Sequence, residues 1–138
     1  MALTGHGAQT SRRGFVASQV HALRPLEFVT CFTPLEDGFT YMEVARGEND
    51  VVTVEVGGIP TPKSAVGKAL QALGFASTGH GRRLRWKGSA LDAAADIATA
   101  VLDGPLAVAP EAPLDVHHGS RRAVVELERK LLGINERI

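Results

Sequence analysis

Between residues 28 and 56 apolar and polar side chains alternate with period two. Val52, Val54 and Val56 are separated by Thr53 and Glu55, and Met42 and Val44 alternate with Tyr41 and Glu43. Successive side chains of an extended strand point to opposite faces, so this pattern predicts strands with one buried face and one wetter face. Three runs, 28–32, 39–45 and 51–56, are rich in β-branched or aromatic residues and are joined by short turn-forming segments around Gly38 and Gly47, which predicts an antiparallel meander. Residues 83–87 repeat the alternation. They predict a fourth strand, with Leu84 and Trp86 inward and Arg83, Arg85 and Lys87 outward.

Elsewhere the period changes to that of a helix. Phe15, Val16, Val20 and Leu23 predict a short helix over 11–23, ended by Pro25, which disfavours helical geometry in the residue before it. Ala65, Val66, Ala69, Leu70 and Leu73 form one apolar stripe; Thr61 and Pro62 suit its cap and first turn, and Gly74 its left-handed exit. A third helix is expected from Ser89, as cap with Asp92 three residues on, to about Asp103. Its inner side carries Leu91, Ala94, Ala95, Ala98, Val101 and Leu102, and its outer side Asp92, Asp96, Thr99 and Asp103. Gly104 and Pro105 stop it. Residues 107–113 read as a proline- and alanine-rich linker, and 120–132 as a last helix with Val124, Leu127 and Leu131 on one face and Glu126 placed to pair with Lys130. This helix is expected to dock on the domain or on a partner.

The order α-β-β-β-α-β-α plus a C-terminal helix predicts an α+β domain with an antiparallel sheet of about four strands and helices packed on it. A flexible leader is expected over 1–10, which hold too little apolar side chain to offset the entropy of ordering, the α+β domain over 11–108, and linker and helix over 109–138. The 138 residues suffice for one core, and 44% hydrophobic with 22% charged residues is an ordinary globular balance. Cys31, the single cysteine, excludes an internal disulfide and suits a reducing compartment. With no signal peptide pattern and no apolar run long enough to span a membrane, the expected location is the cytoplasm.

Candidate chemistry is sparse. His117 and His118 with Asp115 are the best metal candidates, but adjacent residues of an extended chain point apart and no second ligand pair accompanies them. His80 lies between glycines in a turn. Glu43 and Glu55, on neighbouring strands, suggest an acid/base pair, yet both occupy polar strand positions where carboxylates are usually solvated. Cys31 reads as a small core residue. The glycines around His80 lack the spacing of a phosphate loop, and no cofactor is expected.

Net charge is zero, so no global field gathers nucleic acid or anionic lipid. The charge is unevenly spread, however: from Gly57 to Leu91 every formal charge is positive, whereas Glu27 to Glu55 carry seven carboxylates and one arginine. Two opposed faces are expected, able to steer a charged partner or to pair two copies. Trp86 sits on the strand phase opposite the arginines, which argues against a nucleic-acid stacking platform.

Three stretches, 41–58, 61–89 and 90–104, resemble the YbjN-like and type III secretion chaperone-like peptide-binding domains, particularly actinobacterial versions. The resemblance covers roughly 27–108. It rests on the order and spacing of Phe39, Tyr41, Glu43 and Glu55 in the strand pair, Leu73, Gly74 and Phe75 after the middle helix, and Trp86 in the following strand. It implies a non-enzymatic, chaperone-like or adaptor domain that holds client polypeptide across its sheet, often as a homodimer. The expected partner-binding residues are Phe39, Tyr41, Glu43, Glu55, Arg83 and Arg85. A ligand-binding domain or enzyme with polar groups around Glu43, Glu55 and His80 is the alternative, and an oligomerisation module using the C-terminal helix is a third reading.

Overall fold

All four predicted strands form in the computed structural model, which describes residues 12–35, 38–59, 61–79 and 82–137, apart from the side chains of 33–35, 38, 39 and 134–137. The elements are α1 (Arg12–His21), β1 (Glu27–Leu35), β2 (Gly38–Arg46), β3 (Val52–Gly57), α2 (Ala65–Ala72), β4 (Ala76–Ser77), β5 (Arg83–Gly88), α3 (Leu91–Asp103), β6 (Asp115–Ser120) and α4 (Arg122–Arg137). The fold is α+β. Its sheet has six strands rather than about four, in the order β4-β5-β3-β2-β1-β6, and every neighbouring pair is antiparallel.

The two additions fall where the alternation is silent. β4 has only two residues, too few to show a period. β6 lies in the stretch assigned to linker and histidines: six residues with one apolar side chain, Val116, at the sheet's border. Its pairing with β1 carries the sheet beyond residue 108, and Arg12 secures the segment between. Arg12 is buried, and its guanidinium donates to Val108 O at 2.9 Å, to Ala109 O and to Asp103 Oδ1 at 3.2 Å.

The pleat sorts the side chains as the alternation predicted. Val29 of β1, Met42 and Val44 of β2, Val54 and Val56 of β3 and Leu84 of β5 face inward and are buried. α3 packs over this face with Ala94, Ala95, Ala98, Val101 and Leu102, and α1 adds Val16 and Val20. The polar side of α3 is also used: His21 Nε2 meets Asp92 Oδ1 at 2.6 Å and Arg13 Nε donates to Asp96 Oδ1 at 2.6 Å, so α1 and α3 are held side by side. α2 lies near β5, with Leu70 and Phe75 in the core.

Both expected helix starts move. Ser64 caps α2, its Oγ accepting from Gly67 N at 3.1 Å; Thr61 instead closes the preceding turn, where its Oγ1 accepts from Lys63 N. Gly74 takes the expected left-handed exit at φ +98°. α3 begins from Ala90 with no side-chain cap, because β5 runs to Gly88 and leaves Ser89 in the bend; Asp92 still favours the positive end of the helix dipole. No helix among the described residues is long and apolar enough to cross a membrane.

Candidate functional site: the outer face of the sheet

The helices α1, α2 and α3 cover one side of the sheet, and the other side is a surface of mixed character. Directly paired residues of an antiparallel sheet project to the same side, so the registers place the outward side chains in rows. One row crosses the strands as Arg83, Gly57, Tyr41, Phe32 and Asp115; the next as Arg85, Glu55, Glu43, Thr30 and His117; the third as Lys87, Thr53, Ala45, Phe28 and Gly119.

Glu55 is the centre of the first two rows. Its side chain is 12% exposed, and the carboxylate accepts from Tyr41 Oη at 2.8 Å and from Arg85 Nη2 at 2.8 Å and has Arg83 Nη1 at 3.9 Å. Burial acts to raise its pKa, but the hydrogen bonds from Arg85 and Tyr41, with both arginine charges, outweigh burial and hold it below the ordinary glutamate value. The Tyr41 phenol is pushed up to about 12, first by burial and then by its bond to Glu55. Glu43 sits directly opposite Glu55 on the neighbouring strand and its pKa is raised, chiefly by burial and next by the Glu55 charge, against weaker relief from Arg121 and Arg85. The carboxylates therefore differ: one is bound by three neighbours, the other is half-buried beside a like charge.

Aromatic rings flank the pair. Phe32 is 41% exposed and meets the His117 ring edge to face at 5.5 Å. Two glycines make seats for rings lying flat on the sheet. A Cβ on Gly57 would come 2.3 Å from the Tyr41 ring, and a Cβ on Gly119 would come 2.4 Å from Phe28, so a larger residue at either place displaces an aromatic side chain.

Tyr41, Glu43, Glu55, Arg83 and Arg85 all lie on the polar phase that the alternation gave them, and the pairing of β3 with β2 and β5 brings them together. The side chain of Phe39 and the whole of His80 lie outside the described residues. Two expectations are corrected. Glu55 is not a solvated carboxylate, because two cross-strand donors reach it. The acidic and basic segments do not form opposed faces either: β3 and β5 pair directly, so Arg83 and Arg85 lie beside Glu55 and neutralise it locally.

Phe28 and Phe32 are not among the expected binding residues, and His117 is expected only as a metal candidate, not as part of this face. The first two sit on the opposite phase from Val29 and Cys31 in a strand with large residues on both sides. His117 belongs to β6, where His118 turns to the other face and meets Gln19 Oε1 at 2.5 Å while His117 Nε2 lies 2.9 Å from Asp115. No group of three or more metal-ligating side chains occurs among the described residues. Cys31 is buried on the inner side and its thiol pKa is raised, mainly by burial, the state of a structural cysteine. An apolar crevice of about 30 Å³ beside it, between α1 and the sheet, has room for little more than a water. The chain matches no protein-family model, no curated protein and no solved structure.

Proposed function

We propose that this protein is a non-enzymatic, chaperone-like or adaptor domain of the cytoplasm that binds segments of partner polypeptide on the outer face of its sheet. The carrying observation is that this face combines an exposed aromatic, Phe32, with polar groups already held in place around Glu55 and is not packed under α1, α2 or α3. Aromatic area supplies affinity at low entropic cost, and pre-paired polar groups need little reordering on binding. The outward rows run across five strands, a span that suits an extended polypeptide, whereas metabolite sites are enclosed. The resemblance to YbjN-like and secretion chaperone-like domains points the same way.

The two carboxylates favour a second reading, a small ligand-binding or catalytic site, since neighbouring acids with pKa values pushed apart suit acid/base work. Panning a random dodecapeptide library against the wild-type protein and against Phe32→Ala and Glu55→Gln variants separates the two. Enriched peptides that bind the wild type and lose about tenfold in affinity with Phe32→Ala support the polypeptide reading, the loss being that of one well-packed aromatic contact. A library that yields no binder, beside a thermal shift with a small carboxylic acid or amine, overturns it in favour of the second.

A further inference from the structure

The two borders of the sheet are unequal. On one side β4 pairs only Ala76 and Ser77 with β5. On the other, β6 is six residues long, and its segment Asp115–Ser120 contains no lysine or proline, the residues that commonly blunt a free edge. Arg121 N donates to Leu26 O at 2.8 Å. Bonded residues alternate along an antiparallel ladder, so Asp115, His117 and Gly119 turn their backbone groups to β1 while Val116, His118 and Ser120 turn theirs to the free edge. α4 does not cover that edge. Arg122 Nη2 donates to Pro25 O at 3.2 Å, and Arg129 grips Glu48 of the β2–β3 turn with bonds of 2.6 and 2.7 Å, so α4 runs back toward β2 and β3.

We propose that β6 is a self-pairing edge: two copies of this chain join antiparallel about a two-fold axis at His118, making one twelve-stranded sheet from two six-stranded ones. Charge selects the partner and the register. With His118 opposite its counterpart, Val116 faces Ser120, His117 faces Gly119, and Asp115 faces Arg121 at both ends of the interface. Every outward amide and carbonyl of Val116, His118 and Ser120 then has a partner. Asp115 is 70% exposed in the single chain, where it meets His117 of its own strand, and Arg121 is exposed as well, so both can reach across the axis. Shifting the register one way opposes His117 to His117, and the other way opposes it to Arg121; both lose the paired charges. The axis stands perpendicular to the sheet, so both outer faces lie on the same side and form one continuous surface.

Sedimentation equilibrium over a wide concentration range tests this, with substitutions chosen from the direction of the amides. His118→Pro removes an N–H that β1 does not use, together with the exposed side-chain bond to Gln19, so far-UV circular dichroism keeps its wild-type form and melting falls only slightly while the dimer is lost. Asp115→Arg and Arg121→Asp each weaken dimerisation about tenfold by setting like charges opposite each other at both ends, and the double variant restores it. Rescue by the double variant decides the matter even where His118→Pro disturbs folding. A protein that stays monomeric at the highest concentrations overturns the proposal. So does a dimer that ignores the charge reversals, and one abolished by Leu127→Glu on α4 would move the interface there. Peptide binding by a monomer remains measurable, so the two proposals fail separately.

Discussion

Val54 and Glu55 are consecutive residues of β3 that point to opposite sides of the same sheet. Val54 is fully buried against apolar neighbours from α3 and the adjacent strands, and nothing about it is specific beyond its size. Glu55 is nearly as buried, yet by a phenol from β2 and two guanidiniums from β5, the strands on either side of its own. The inner face explains why the chain folds. The outer face holds groups that folding does not require there, since threonine or another β-former at these positions would serve the sheet as well. That surplus of arranged polar and aromatic groups is why we propose the outer face as the binding surface.

Substitutions on the two faces should therefore separate stability from binding. The largest effect is expected inside: Leu84→Ala empties a fully buried site and should cost about 2 to 5 kcal/mol in denaturant unfolding. Gly57→Ala comes next, because the new Cβ meets the Tyr41 ring and drives it off Glu55; a loss of about 1 to 3 kcal/mol is expected, with a fall in the Tyr41 pKa from about 12 visible by ultraviolet titration.

Smaller and opposite in sign is Glu43→Gln. The folded pKa of Glu43 is raised, so its contribution to stability is complete below the ordinary glutamate pKa and is lost as pH rises through the folded value. Removing the charge should stabilise the protein by about 0.5 kcal/mol near neutrality, the size of one like-charge cross-strand pair, and the gain should vanish in acid. Glu55 behaves in reverse. Its folded pKa is lowered, so its stabilisation is present above the ordinary glutamate pKa and lost as pH falls through the folded value; Glu55→Gln should flatten that acid limb of a stability-versus-pH curve. The smallest change in stability is expected for Phe32→Ala, within about 0.5 kcal/mol as for an exposed site, although it should be among the most damaging to binding.

The inner face was legible because burial enforces strict period two on β2, β3 and β5, and the helix stripes follow from the same core. β6 was not, since an edge strand buries little and its sequence carries only Val116 as an apolar mark. The partners of Glu55 were half legible: the alternation placed Arg83, Arg85 and Tyr41 on the right phase, but that β3 lies between β2 and β5 is a matter of long-range pairing, which no local pattern encodes. α4 shows the same limit. Its apolar side was evident from Val124, Leu127 and Leu131, yet the body is gripped by Arg122 and Arg129, and those apolar residues are left more than half exposed. Where two exposed or charged groups meet depends on topology, which reaches the sequence only through the core.

The direct measurement is proton NMR of the aromatic rings while a library-selected peptide is titrated in. Phe32, Tyr41 and His117 report the outer face, and Trp86, on the inner phase of β5, reports the other. Binding on the outer face predicts saturable shifts of the first three at one common affinity with the Trp86 indole unmoved. Shifts centred on Trp86, with Phe32, Tyr41 and His117 unchanged, would contradict it.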